Sequence, residues 1–160
     1  MQLKITSEQI INKLILTICA CVLVSGCSSL KTHTNGTELK GIQQERFRLT
    51  TRTDSGSLDK IVYEAIYLQF SDALTIAEKE PYSGSMEVSF FSSDSHGSPF
   101  RWQNSTMIIV LKNNSGERLW LADYKYKGGW EFSGWVVNTP DEAARLLAER
   151  LKERFVKDFQ

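Results

Sequence analysis

The sequence predicts a single small α+β domain, in which a mainly antiparallel sheet is packed by two helices and follows a cleaved leader. Three observations predict it. Residues 106–126 have the pattern of a β-hairpin, residues 140–158 form an amphipathic stretch behind a capping motif, and apolar residues recur with helical spacing over about 58–79. The 160 residues include 19 basic and 19 acidic side chains. A nucleic-acid partner is not expected, because that calls for a basic excess.

Residues 1–26 are predicted to be a signal peptide. Residues 14–24 form an apolar run of 11 residues, which fits a secretory signal and is shorter than the ~20 residues that cross a bilayer. Cys19 and Cys21 leave with this segment, so Cys27 is the only cysteine of the remaining chain. No disulfide framework is therefore expected.

The next segment, residues 27–44, is predicted to be a flexible tether that lifts a globular domain of residues 45–160 off a membrane. Residues 28–41 are polar and show no sustained apolar period. The domain then begins with a strand over 45–53, whose charged, apolar and threonine positions alternate up to a turn at 54–56.

A helix is predicted over about 58–79, with Ser57 as its N-cap and its end before Pro81. Residues 61–70 are rich in β-branched and aromatic side chains, so a strand is the alternative there. The length of the periodic stretch favours the helix. Its spacing rests on Leu58, Val62, Ile66, Phe70, Ala73 and Ala77.

Residues 85–91 alternate and predict a strand, whereas residues 92–104 predict a loop of serine, glycine and proline. Phe100 and Trp102 lie within this loop. Large aromatic side chains in a loop favour a contact surface over a core.

The hairpin consists of an apolar run at 107–111, a turn at 113–116 and a returning strand to residue 126. Pairing across the four-residue loop predicts that Lys112 lies opposite Glu117, which sets Val110 opposite Leu119 and Ile109 opposite Trp120. Because both faces of the first strand are apolar, both faces need a cover. The terminal helix is one cover, and the other is either the 58–79 helix or another subunit.

The terminal helix is predicted from its start, where Thr139 and Glu142 form a capping box around Pro140. An apolar stripe follows at helical spacing. It comprises Ala144, Leu147, Ala148, Leu151, Phe155 and Phe159.

Between the hairpin and this helix, a glycine-rich connection carries Trp130, Phe132 and Trp135. These rings either fold back over the sheet edge as core or form a patch that faces a partner or a membrane. Together with Phe100 and Trp102 they make up the candidate interaction surface.

Catalytic patterns are absent from the sequence, and no enzyme, metal site or cofactor is predicted. His33 and His96 have no second histidine or cysteine at ligand spacing. Asp123 is the one acid within an apolar strand, and we expect it to point outward, opposite Thr106.

The four residues Val24-Ser25-Gly26-Cys27 resemble the lipobox of bacterial lipoproteins. The resemblance implies cleavage between Gly26 and Cys27 and a covalent lipid on Cys27. Ser28, rather than an aspartate, at the second position implies sorting to the periplasmic face of the outer membrane.

Residues 116–120, 124–130 and 138–144 resemble a group of uncharacterised bacterial envelope lipoproteins. The architecture also resembles, more loosely, the α/β domain shared by the curli-secretion lipoprotein and the N-terminal domain of the Tol-system β-propeller protein. The lipid anchor, the strand with two apolar faces, the aromatic loops and the missing catalytic patterns together predict a non-enzymatic structural or interaction component of an envelope assembly, with an envelope protein or its own copies as partner. The alternative is a periplasmic glycan- or lipid-binding module, in which Trp102, Trp130 and Trp135 stack on the ligand.

Overall fold

The computed structural model describes residues 28–36, 39–97, 100–127 and 139–159. They form one mixed sheet of six strands with three helices, which confirms the α+β class. In chain order the elements are β1 (Ser29–Thr34), α1 (Leu39–Gln43), β2 (Arg46–Thr53), α2 (Gly56–Phe70), β3 (Thr75–Ile76), β4 (Gly84–Gly97), β5 (Phe100–Asn113), β6 (Arg118–Lys127) and α3 (Pro140–Asp158).

The strand order across the sheet is β1-β6-β5-β4-β2-β3. Strands β4, β5 and β6 form an antiparallel meander, and β1 pairs antiparallel with β6 at one edge. Strand β2 instead runs parallel to β4. A parallel pair needs a crossover connection, and here α2 supplies it.

Both long helices pack on the same face of the sheet and enclose a single core. Phe155 of α3 makes edge-on ring contacts with Phe70 of α2 at 5.7 Å and with Trp120 of β6 at 5.1 Å between centroids. The indole Nε1 of Trp120 donates a hydrogen bond of 3.0 Å to Asp158 Oδ2. A tryptophan can therefore be fully buried here without losing its hydrogen-bond partner.

The predicted start of α3 is confirmed. Pro140 occupies the first turn, and the Thr139 side chain accepts a hydrogen bond of 3.2 Å from the backbone N–H of Glu142. The predicted stripe is buried from Ala144 to Phe155, while Phe159 packs against the core partly exposed.

Helix α2 is shorter than predicted, since it ends at Phe70 instead of residue 79, and its N-cap is Ser55 instead of Ser57. Residues beyond the helix still carry buried apolar side chains, among them Ala73, Leu74 and Ala77. The chain crosses the core there and then pairs β3 with β2. Ala73 and Ala77 are thus buried by the core although they are not helical, and their spacing led to the prediction of a longer helix. The strand alternative for 61–70 is wrong.

The loop predicted over 92–104 is also wrong, because β4 and β5 remain paired through Ser92↔Ser105 to Gly97↔Phe100. Buried Ser105 and Ser92 share a hydrogen bond of 3.0 Å between their hydroxyls. Backbone pairing between the two strands therefore continues through the segment predicted to be a loop.

The β5–β6 hairpin is confirmed, but its register differs by two residues from the prediction. Val110 pairs with Leu121 and Ile109 with Ala122, and Lys112 lies opposite Arg118 instead of Glu117. An irregularity after Leu111 places the extra residue in β6. A shift of two positions keeps each side chain on its face, so the predicted division into two faces survives.

Residues 29–36 and 39–43 are part of the fold, contrary to the predicted tether. Strand β1 pairs with β6 over six residues, and Ile42 of α1 is fully buried in the core. The polar sequence misled the prediction because an edge strand exposes most of its side chains, as five of the six do here. The described part of the fold therefore already includes strand β1 and helix α1, ahead of residue 45.

Replacing Ile42 with alanine tests this correction. We expect the free energy of unfolding to fall by about 2–5 kcal/mol, because a fully buried side chain is truncated. Urea unfolding measures the change, and Leu68→Ala is the control, since Leu68 is 70% exposed on α2. Equal stability of the Ile42 variant and the parent would mean that residues 39–43 do not pack on the domain.

Candidate interaction surfaces

The second face of the sheet is covered by none of the elements that the structure describes. We call it the open face. Its side chains alternate with those of the core along every strand, and the backbone register lines them up in rows. One row joins Thr50, Glu87, Val110, Leu121 and His33, as follows from the pairing of their strands.

The open face is strongly basic. Its positions include eight cations and two carboxylates, whereas the whole chain carries no formal net charge. The rest of the chain therefore carries an excess of negative charge. The cations are Lys31, Arg46, Arg48, Arg52, Lys112, Arg118, Lys125 and Lys127, and the carboxylates are Glu87 and Asp123.

Both carboxylates are paired with a neighbouring lysine. Lys112 Nζ lies 2.8 Å from Glu87 Oε2, and Lys125 Nζ lies 3.8 Å from Asp123 Oδ2. Arg48 and Arg52 are exposed on the neighbouring strand β2. Six positive charges in excess over one sheet face create a potential that attracts an acidic surface.

Apolar side chains interrupt this basic surface at its centre. Ile108, Val110 and Leu121 are half-buried between the flanking charges, and Phe91 is 44% exposed. Apolar residues rimmed by polar ones are typical of protein or membrane interaction sites.

Asp123 lies on the open face, opposite Ile108 and Lys31 instead of Thr106. The outward placement is as predicted, and the changed partner follows from the shifted register. Its Oδ1 is buried with no hydrogen-bond partner, while Oδ2 approaches Lys125.

A second surface feature lies on the helical side. The rings of Tyr63 and Tyr67 stack at 6.2 Å with an interplanar angle of 10°. Together with Leu68 and Arg145 they line an open hollow of about 360 Å³. Burial raises the pKa of the Tyr63 hydroxyl above its ordinary value, and the nearby Glu78 carboxylate adds to this shift.

Two of the predicted surface residues, Phe100 and Trp102, belong to β5, at positions paired with Gly97 and Ser95. Trp130, Phe132 and Trp135 lie outside the described residues, as do Gly26 and Cys27.

Sequence reasoning missed the open face as a basic surface and also missed the tyrosine pair. The spacing of Arg46, Arg48 and Arg52 along one predicted strand was the available signal, because alternate residues share a face. The tyrosines are four residues apart on a helix and hence neighbours.

Among the residues that the structure describes, no three histidine, cysteine or acidic side chains gather in a way that could hold a metal. The helices within that part of the chain are too short or too polar to cross a membrane.

No protein-family model matches the chain, and no curated protein is similar to it. Among solved structures, the fold is similar to the PelC dodecamer from Paraburkholderia phytofirmans, with a TM-score of 0.52 and 10% identity over 78% of this chain and 94% of that one. It is also similar to a PDZ domain protein from Parabacteroides distasonis, with a TM-score of 0.52 and 12% identity over 94% of this chain. The match spans 40% of the PDZ domain protein. At these identities the similarity concerns the fold.

The two faces of β5 can be compared by the same substitution at adjacent residues. We expect Ile109→Thr to lower the free energy of unfolding by about 2–4 kcal/mol, because a hydroxyl replaces a fully buried apolar group. Ile108→Thr is expected to cost about 1 kcal/mol or less, since its side chain reaches solvent on the open face. Urea unfolding of both variants measures the difference. Equal losses would mean that a further element covers the open face within the same chain.

Proposed function

We propose that the chain is a lipid-anchored, non-enzymatic component of the bacterial outer membrane, which docks onto an acidic protein surface through the open face. The observation that carries the proposal is the open face itself. A sheet face with an apolar centre and a basic rim is unfavourable to leave in water unless it serves as an interface.

A second copy of the chain is the partner that charge favours. The open face carries six excess positive charges, and the remainder of a formally neutral chain is correspondingly acidic. Contact between the basic face of one copy and an acidic surface of the next brings opposite potentials together. Such a head-to-tail contact uses two different surfaces, so it builds rings or filaments instead of twofold dimers.

The anchor is supported by the leader. An apolar segment of 11 residues ends at Val24-Ser25-Gly26-Cys27, and a covalent lipid on Cys27 would hold the protein at the periplasmic face. One acyl chain gives only marginal binding, so stable attachment calls for more than one. The lipoproteins that this segment resembles carry three.

Mass spectrometry of protein extracted from membranes tests the anchor. We expect a chain that starts at Cys27 and carries a diacylglyceryl group and an amide-linked acyl chain. Cys27→Ala should lose all of this mass and retain its leader. An unmodified chain from the parent sequence would contradict the anchor and redirect the search to soluble periplasmic ligands.

Charge reversal on the open face tests the docking surface. We expect Arg48→Glu to raise the dissociation constant for self-association at least about tenfold, equivalent to ~1.4 kcal/mol. Sedimentation velocity of the full-length protein in detergent measures it over a range of concentrations.

Arg145→Glu is the matched control, since Arg145 is exposed on the helical side. Its substitution adds negative charge away from the open face, so it should not weaken association. A parent protein that is monomeric at every concentration would exclude a second copy as the partner.

A second candidate function, the binding of a glycan, is favoured by the tyrosine hollow. Stacked rings beside an arginine offer a flat apolar platform and a hydrogen-bond donor, a combination suited to a sugar ring. A titration with cell-wall glycan fragments that leaves the protein fluorescence unchanged would remove this candidate.

A further inference from the structure

We propose that a hollow between strand β1 and helix α3 binds a phosphate ester, through three basic side chains and one buried tyrosine hydroxyl. We call it the basic hollow. It has a volume of about 250 Å³, and its lining includes Leu30, Tyr124, Arg150, Glu153, Arg154 and Lys157. The inference goes beyond the proposed function, because it requires neither a lipid on Cys27 nor docking through the open face.

The floor of the basic hollow lies at one edge of the sheet, on the face that the helices cover. Leu30 of the outermost strand β1 is directly opposite Tyr124 of β6, so the two side chains share a face. Helix α3 is joined to this edge by Arg154, whose Nε donates a hydrogen bond of 3.2 Å to Thr32 Oγ1. Leu30 is 37% exposed, so a ligand can enter along the edge strand.

The hydroxyl group of Tyr124 is the observation that points to a ligand. Tyr124 is only 9% exposed and lines the hollow. Within the parts of the chain that the structure describes, its hydroxyl has no hydrogen-bond partner. Trp120 lies on the same face of β6 and does have one, in Asp158. Because buried tyrosine hydroxyls are normally hydrogen-bonded, an oxygen atom of a ligand in the hollow is the partner that Tyr124 lacks.

Arg154 is held in place while its terminal amino groups stay available. Its Nε makes the contact with Thr32 and also lies 2.7 Å from Asp158 Oδ1. The Asp158 carboxylate accepts a further hydrogen bond from Trp120 Nε1, and its side chain is 9% exposed. The guanidinium is therefore fixed through Nε. A planar guanidinium of this kind can pair its remaining N–H groups with two phosphate oxygens.

The other two cations of the hollow are free to move towards an anion. Arg150 Nη1 lies 3.3 Å from Glu153 Oε2, and about half of each side chain is exposed. Exposed ion pairs are weak, so a phosphate can take the place of this carboxylate. Lys157 is exposed and forms no ion pair with a residue that the structure describes.

These groups together suit a phosphate ester. The hydroxyl, the two guanidinium groups and the ammonium group can all donate hydrogen bonds, and phosphate oxygens accept them. Three cations against the single carboxylate of Glu153 leave two positive charges in excess, which matches the charge of about −1.5 to −2 on a phosphate monoester at neutral pH. Exposed Leu30 adds an apolar wall for the organic part of the ester. That part belongs either to a phospholipid or to a soluble metabolite.

Phosphorus NMR of the full-length protein in a non-ionic detergent tests the inference with two probes that carry the same phosphate monoester. One is soluble sn-glycerol 3-phosphate, and the other is dihexanoyl phosphatidic acid, a short-chain lipid. We expect the phosphorus resonance of at least one probe to broaden and shift until the protein is saturated. Tighter binding of the lipid would assign the hollow to a phospholipid headgroup, and equal or tighter binding of the soluble probe would assign it to a soluble ester. No binding of either probe would overturn the inference.

Two substitutions place the binding in the basic hollow. We expect Lys157→Gln to raise the dissociation constant of the probe at least about tenfold, because it removes a charge-assisted hydrogen bond. Tyr124→Phe removes only the hydroxyl and should raise the dissociation constant about three- to tenfold. Since this hydroxyl has no partner within the described fold, Tyr124→Phe should unfold at the same urea concentration as the parent. Unchanged binding in both variants would place the probe elsewhere and overturn the inference.

Lys60→Gln and Arg48→Gln are the matched controls, since each removes one positive charge outside the hollow. The side chain of Lys60 is 85% exposed on α2, and Arg48 is exposed on the open face. Both variants should bind the probe as the parent does. A loss as large as that of Lys157→Gln would mean that the probe follows positive charge in general, which would also overturn the inference. Because the measurement uses neither a membrane nor self-association, its failure leaves the proposed function standing, and the reverse also holds.

Discussion

The arrangement of the domain depends on one constraint, that both long helices cover the same face of the sheet. Phe155 of α3 contacts Phe70 of α2 and Trp120 of β6 edge-on, while the rings of Phe70 and Trp120 are tilted by 55°. A helix pair used on one face cannot cover the other. The half-buried Ile108 and Val110 therefore remain at the centre of a surface that basic residues surround. The proposed docking follows because the helices cover only the opposite face of the sheet.

Elements with a strong local signal could be predicted from the sequence. The capping motif at Thr139 and the apolar run at 107–111 specify α3 and β5 without tertiary information, and both were found. The two faces of β5 were also foreseen, since alternation survives a register shift of two residues. The actual register could not be foreseen, because it depends on an extra residue in β6, beside the Leu111–Trp120 pair. No local sequence pattern indicates such an irregularity.

The predictions were wrong for segments whose structure is determined by contacts with neighbouring elements. Strand β1 has few apolar residues and exists because β6 offers it an unpaired edge. Helix α2 appeared longer than it is because Ala73 and Ala77 are buried by a crossing chain instead of a helical turn. The open face was invisible for a similar reason. Its cations lie on four strands, β1, β2, β5 and β6, and only the strand order brings them together. No local pattern could have assembled them.

The edge position of β1 also has a consequence for the order of events after synthesis. Ser29 pairs with Lys125, so the first strand to leave the ribosome finds its partner only when most of the chain has followed. Closing so long a loop is slow compared with local pairing, and the meander of β4, β5 and β6 can form before it. Strand β1 would thus join the sheet late, after the meander of β4, β5 and β6 has formed.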